Sequence, residues 1–309
     1  MQAINAAKKR VTLLAMAVQW GTEMDAIYTA LFAAHKRGVE VHVILDPYSL
    51  HPAGYDFQLY KMTNRVRAHK TQMNIDALIA AGVSVTFTSP IGFNPFKGRC
   101  HIKVAIIDDT AFSFGGVNFR DEGFHAYDYM LQTSDTAAVQ YLEVLTRQVA
   151  SRELTQDARW EWQDGQAVLV DAGTPGTSII YQKACDIVRH ARKVTYVSQM
   201  CPSGELAALL RKTEYTAYFN RPGKAAFPVN VSLWVDQKRS RITNSYIGNK
   251  YVHAKLIIAD MPDGSTVVLT GSHNFSWRGV AYGTQEVALY STNRALAKTL
   301  QEFVASLSS

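Results

Sequence analysis

Apolar positions near the start of the chain change period in a regular order. Val11 to Val18 is an apolar run of strand length. Met24 to Arg37 carries its apolar side chains at helical spacing and stops at Gly38, and Val39 to Asp46 is again a buried strand. A short helical piece, Ile4 to Lys9, precedes them. The order returns past the middle as helix Ile179 to Arg192, strand Val194 to Met200, helix Gly204 to Lys212 and strand Val229 to Asp236. Each copy then ends in a hairpin, and a helix, Asn293 to Leu307, follows the second. A repeated alternation of strands and helices predicts duplicated α/β architecture. Its two domains are expected at residues 1–155 and 156–309, the seam falling where helix Thr136 to Glu153 gives way to the polar stretch Trp160 to Gly165.

Two segments stand outside this plan. Tyr48 to Thr71, rich in His, Tyr, Lys and Arg, is long for a connection in a compact domain and is read as a substrate-facing lid or as an ordinary solvated helix and loop. The second copy also has a strand-like segment, Ala167 to Asp171, and a turn, Gly173 to Thr177, ahead of its first helix, where the first copy has no counterpart. A missing upstream segment is the expectation that follows.

Composition narrows the function classes. With 47% apolar residues in 309, the chain can fill two cores and is not a disordered protein. Lys and Arg outnumber Asp and Glu by 32 to 26, which suits an anionic partner: a phospholipid or membrane surface first, nucleic acid second. No apolar run approaches the roughly 18 residues that span a bilayer, and the first residues do not read as a signal peptide. The expected location is cytoplasmic or peripheral on the membrane, with anchoring through the missing upstream segment as the variant. Three cysteines, Cys100, Cys185 and Cys201, form no metal-binding pair and no even disulfide framework.

The chemistry is concentrated in the two hairpins. The first begins Arg99-Cys100-His101-Ile102-Lys103, runs through Val104 to Ile107, turns at Asp108 to Thr110, and returns to deliver Gly115-Gly116-Val117-Asn118. The second begins Val252-His253-Ala254-Lys255, runs through Leu256 to Ala259, turns at Asp260 to Ser265, and delivers Gly271-Ser272-His273-Asn274. If each His-x-Lys lies on a strand, its imidazole and ammonium share one face. Asp108 and Asp260, at odd parity and at the strand ends, read as turn-fixing residues. Each half then offers an imidazole, an ammonium and an amide. A phosphodiester needs these in pairs: lysines and asparagines for the non-bridging oxygens, two imidazoles to divide nucleophile and acid roles.

An imidazole nucleophile also needs an acceptor on its other nitrogen. Asp128 in the first half and Glu286 in the second are the candidates, with Asp121 and Glu122 as rivals to Asp128 that read better as solvated loop residues. Lysine at the second motif position and the lack of an HExxH-type cluster argue against a metal centre, and nothing calls for a cofactor. His273 lies between Ser272 and Asn274 and by parity faces away from the site.

These stretches resemble the paired HKD signature of the phospholipase D superfamily, H-x-K-x4-D-x6-G-[SG]-x-N. The first copy matches throughout. The second matches through Asp260 and then has a hairpin four residues longer. The resemblance implies two similar α/β/α domains, each with a mixed β-sheet flanked by helices, related by a pseudo-twofold axis with the active site at their interface. It implies that His101 attacks phosphorus to form a phosphohistidine, that His253 serves as acid and then base, and that Lys103, Lys255, Asn118 and Asn274 hold the phosphoryl oxygens, beside Gly116 and Ser272. Asp128 and Glu286 would orient the imidazoles.

Within the superfamily, Gly115 to Glu122 resembles the first motif of bacterial cardiolipin synthases, whereas Asn274-Phe275-Ser276-Trp277 departs from their second. A phosphatidyltransferase or phospholipase is therefore expected, with Phe93, Phe96, Tyr127, Trp277 and Tyr282 as lipid-facing or merely core aromatics. A nuclease is the alternative, with Lys8, Lys9, Arg10, Arg65, Arg67 and Lys70 tracking a phosphate backbone.

Overall fold

The computed structural model describes residues 1–51, 62–90, 97–163, 165–223 and 227–307. The chain forms two compact units. The first holds Met1–Ser113, Val117–Phe124 and Met130–Thr155, and the second holds Phe114–Gly116, His125–Tyr129 and Gln156–Ser309.

In the first unit, helix α1 (Gln2–Ala6) leads into strand β1 (Arg10–Ala15), helix α2 (Thr22–Lys36) and strand β2 (Glu40–Leu45). Helix α3 (Met62–Ala80) and strand β3 (Ser84–Phe87) follow, then β4 (Val104–Ile107), β5 (Thr110–Ser113), the short helix α4 (Asp121–His125), β6 (Leu131–Thr133) and helix α5 (Thr136–Ser151). The sheet order is β3-β2-β1-β4-β5-β6. Its first three strands run parallel, and β4, β5 and β6 each pair antiparallel to their neighbours, so the sheet is mixed. Central β1 buries Val11, Leu13 and Leu14, side chains from both faces, as a sheet covered by helices on two sides requires. Residues 62–71 of the segment read as a possible lid belong to α3, and 52–61 lie outside the described residues.

The second unit builds a seven-stranded sheet. Strands β7 (Ala158–Glu161) and β8 (Ala167–Ala172) precede helix α6 (Ile179–His190), β9 (Lys193–Val197), helix α7 (Gly204–Leu210) and β10 (Glu214–Tyr218). Helix α8 (Phe227–Ser240) leads to β11 (Leu256–Asp260), β12 (Thr266–Gly271), helix α9 (Trp277–Tyr282), β13 (Gln285–Ser291) and helix α10 (Arg294–Ala305). The order is β10-β9-β11-β12-β13-β8-β7, with β10 parallel to β9 and the other pairings antiparallel. Its core gathers Ile180, Val188, Tyr196, Leu206, Ile257 and Phe275. Both sheets are mixed and flanked by helices, the α/β class expected from the repeat.

One expected strand is a helix. Val229 to Asp236 alternates apolar and polar side chains, but the strand that continues the repeat is β10, starting four residues after α7 ends and pairing with β9 from Glu214↔Lys193 to Tyr218↔Val197. Residues 227–240 therefore have no strand position left to fill and form α8. Val231, Trp234 and Val235 suit a helix as well as a strand, because i, i+3, i+4 spacing hides inside a period-two pattern.

Candidate active-site motifs

In the first unit the His-x-Lys motif stands just before a strand rather than on it: β4 starts at Val104, and His101 to Lys103 are irregular. The motif is positioned instead by the buried ion pair Arg99–Asp46, 2.9 Å apart with side chains 2% and 0% exposed. Asp46 is saturated. It also accepts from the backbone N–H of Cys100 (2.8 Å), that of Tyr48 (2.8 Å) and the hydroxyl of Thr88 (3.2 Å). Arg99 donates further to the carbonyls of Pro90 and Lys97. This pair fixes the residue next to His101 against the end of β2. Lys103 is buried and folds back so that its Nζ donates to the His101 carbonyl at 2.6 Å, while Ser113 donates to the Lys103 carbonyl at 2.9 Å. Asn118 is buried, and its Oδ1 has no hydrogen-bond partner among the described residues.

Asp108 fixes the turn, as parity predicts. It adopts φ 51° and accepts from the backbone N–H groups of Lys8, Lys9 and Arg10, tying the hairpin to the entry of β1. Burial pushes its carboxyl up, but these three N–H donors outweigh that and hold it below the usual range. The rivals to Asp128 are also accounted for. Asp121 accepts from the N–H groups of Thr22 and Glu23 at the start of α2, and Glu122 pairs with Arg67 at 2.7 Å.

The second unit repeats the arrangement with different supports. His253 to Lys255 again precede the strand, and Lys255 Nζ donates to the His253 carbonyl. The Tyr127 carbonyl accepts from the N–H of both His253 and Ala254 at 2.9 Å, and Tyr127 N–H donates to the Tyr251 carbonyl at 2.8 Å. Asn220 then clamps Val252, donating to its carbonyl (2.7 Å) and accepting from its N–H (2.9 Å). Asn274 has its own carbonyl held by the Ser198 hydroxyl at 2.9 Å, and its Oδ1, like that of Asn118, is buried without a partner among the described residues. In the turn, Asp260 accepts from the Thr266 hydroxyl at 3.3 Å.

His253 is paired. Its Nδ1 lies 2.7 Å from Asp128 Oδ2, and Asp128, 1% exposed at its side chain, also accepts from Gly116 N–H (3.0 Å) and Tyr129 N–H (2.9 Å). Burial pushes the Asp128 carboxyl up, but the bond to His253 and the charges of His253 and Lys255 prevail and hold it below the ordinary carboxylate range. An ionised carboxylate on Nδ1 fixes the ring orientation and favours the protonated imidazole. The carboxylate comes from the first copy of the repeat and serves the histidine of the second, a pairing the sequence did not specify. A Cβ on Gly116 would fall 2.6 Å from the His253 carbonyl, 2.7 Å from Asp128 Oδ2 and 2.8 Å from Lys255 Nζ, so this position has room only for glycine.

Glu286 is likewise tied to its own motif. Buried in β13, it accepts from the Ser272 hydroxyl, which in turn accepts from Val287 N–H at 3.0 Å. Across the ladder it faces Asp171 of β8. Asp171 accepts from the Ser178 hydroxyl (2.5 Å) and Ile180 N–H (3.2 Å) at the start of α6. Burial pushes its carboxyl up to about 7. Those two donors pull the other way, and the nearby charges of Asp157 and Glu286 add to the rise. His273 is turned into the core, its Nδ1 accepting from Phe275 N–H at 2.8 Å and its ring packed near Tyr181 and Phe275. Phe93 and Phe96 lie outside the described residues.

Residues 1–149 match the family model described as cardiolipin synthase, PLD-like domain. The matched stretch is a little under half of the chain and holds the first of the two motifs. No curated protein matches it in sequence. Among solved structures, the phosphatidylserine synthase of Haemophilus influenzae is similar over 99% of this chain and 83% of its own length, at 13% identity and TM-score 0.73. Polyphosphate kinase from Porphyromonas gingivalis is similar over 98% of this chain, at 14% identity and TM-score 0.60, and the chain spans only 46% of that enzyme's length. Yeast tyrosyl-DNA phosphodiesterase is similar over 93% of this chain and 83% of its own, at 12% identity and TM-score 0.51. At these identities the likeness shows a shared fold over most of the chain.

Three supports of these motifs were missed in the sequence. Arg99 with Asp46 left a readable trace, an Asp closing an apolar strand and an Arg two residues before the histidine. Asn220 left none, and Asp171 was visible only as the end of a strand.

Proposed function

We propose that the chain is a phospholipase D-type phosphodiesterase or phosphatidyltransferase that acts on phospholipids through a phosphohistidine. The observation that carries the reading is the buried Asp128–His253 pair, in which an ionised carboxylate on Nδ1 orients one imidazole for acid–base work. In the proposed sequence a ring nitrogen of His101 attacks phosphorus, and the bond to the leaving oxygen breaks as His253 Nε2 gives that oxygen its proton. The neutral His253 then takes a proton from water or an acceptor alcohol, whose oxygen attacks phosphorus and frees His101. Lys103, Lys255, Asn118 and Asn274 bind the non-bridging oxygens, where added negative charge develops.

The family model's description and the cardiolipin-synthase-like stretch Gly115 to Glu122 favour a lipid substrate. The nuclease alternative leans on six cations, of which Lys9 pairs with Asp109, Arg10 with Glu143 and Arg67 with Glu122. Incubation in EDTA with mixed phosphatidylglycerol and phosphatidylethanolamine vesicles, and separately with single-stranded and plasmid DNA, decides between them. Cardiolipin or phosphatidic acid is expected; DNA fragments with unchanged lipid would overturn the lipid reading. In His253→Ala, phosphate label should accumulate on His101, and label on the remaining histidine of a His101→Ala variant instead would reverse the two roles.

A further inference from the structure

Apart from the motifs, the second unit carries a basic and aromatic face on α8. A cleft of about 420 Å³ is lined by Arg211, Trp234, Val235, Lys238, Arg239 and Arg241. A neighbouring cleft of about 260 Å³ shares Arg211 and Arg239 and extends to Trp277 and Arg278. Trp234 is 55% exposed, Trp277 47% and Val231 45%. Val231, Trp234 and Lys238 fall at i, i+3 and i+7, along one face of α8. Among the described residues, one acid lines the second cleft, Asp236, and it is engaged by Arg278 at 2.7 Å.

Cations at the end of a helix complement its dipole, which accounts for Lys238, Arg239 and Arg241 at the end of α8 and for Arg211, which follows α7 and donates to the Ser240 carbonyl at 2.6 Å. It does not account for two exposed indoles beside them. An indole has an apolar body and a polar N–H, a combination suited to the headgroup layer of a bilayer, and clustered Lys and Arg are drawn to anionic lipid. A single-stranded nucleic acid would instead be served by aromatic platforms throughout, and Val231 has no π face on which a base could stack.

We propose that this face of α8 and its neighbouring turns docks the protein on an anionic phospholipid bilayer, its cations on lipid phosphates and Trp234 and Trp277 in the interfacial layer. The proposal rests on the phospholipid reading above and adds the surface that meets the membrane. Trp277 lies three residues past Asn274, so the docking face adjoins the second motif within the same unit.

The test is sedimentation with phosphatidylglycerol–phosphatidylcholine vesicles and with pure phosphatidylcholine vesicles, with cleavage of a short-chain phosphatidylglycerol dissolved as monomers as the second readout. The unaltered protein should bind the anionic vesicles and release them at high salt. K238E/R239E should bind them about tenfold or more weakly, as loss of two interfacial cations requires. W234A should also weaken binding, and it keeps the test open if the double variant misfolds. Cleavage of the soluble diester should persist in both. Variants that sediment as the unaltered protein does would overturn the docking face, as would loss of oligonucleotide binding with vesicle binding intact. Salt-sensitive vesicle binding that the variants lose, with no diester cleaved by any form, would sink the lipid activity and leave the docking face standing.

Discussion

The two His-x-Lys motifs have the same local form and different scaffolding. In both, the lysine folds back onto the carbonyl of its own histidine and the asparagine buries an oxygen that has no hydrogen-bond partner among the described residues. The first is held by a charge pair, Arg99–Asp46, with a two-residue turn at Asp108 and Asp109. The backbone of the second is held by neutral groups, the Tyr127 carbonyl and the Asn220 amide, while Asp128 holds its imidazole, and a longer turn joins β11 and β12. A repeated motif thus constrains the reacting groups and leaves the means of support free. The two supports should respond differently when cut. Breaking a buried pair strands a charge, whereas losing an amide clamp leaves neutral groups unsatisfied.

The largest effect on stability is expected for Arg99→Ala, which leaves Asp46 buried beside its backbone donors without the guanidinium. A loss of about 3–5 kcal/mol should appear in urea unfolding. Asn220→Ala should cost about 1–3 kcal/mol, since the Val252 N–H and carbonyl lose their partners without uncovering a charge. Equal costs, or a larger one for Asn220, would break the contrast between charged and neutral support.

Asp128→Asn sharpens the contrast from the side of chemistry. The amide can keep a contact with Gly116 N–H but cannot remain an anion beside His253. A fall of about 10²–10⁴ in turnover is expected, the range that general acid–base groups contribute. Removal of the anion disfavours the protonated ring, so the alkaline limb of the pH–rate profile should also move to lower pH. A purely structural loss would lower turnover without shifting that limb.

Much of this was legible because it is periodic. The alternation of strands and helices and both hairpins follow from hydrophobic period, and the parity that put Asp108 in a turn and turned His273 away from its neighbours Ser272 and Asn274 follows from side-chain direction along a strand. What escaped the sequence depends on contacts far apart in it. Asp128 reaches a histidine 125 residues away, and Asp46 an arginine 53 residues away, and no local spacing encodes either pairing. The strand expected at Val229 to Asp236 failed for a related reason. Its local pattern admits helix or strand, and the decision was made by β10 taking the place beside β9.

A smaller effect separates the carboxylates themselves. Asp128 sits among cations and is held low, whereas Asp171 lies across the ladder from Glu286 and is pushed up to about 7 by burial first and by neighbouring carboxylates after it. A group raised in this way keeps its proton in the folded protein and loses it near pH 4 once unfolded. Folding stability should therefore decline as pH rises from about 4 to about 7 and level off above. Asp171→Asn, neutral at every pH, removes that decline. At about 1.4 kcal/mol per unit the ceiling is about 4 kcal/mol, and the asparagine gives up one of the two acceptors used by Ser178 and Ile180, so a relative gain of about 1–3 kcal/mol at pH 8 over pH 4 is expected. Urea midpoints of both forms at the two pH values measure it. An unchanged pH slope in the variant would mean that Asp171 is ionised like Asp128, and the electrostatic difference between the two carboxylate sites would be lost.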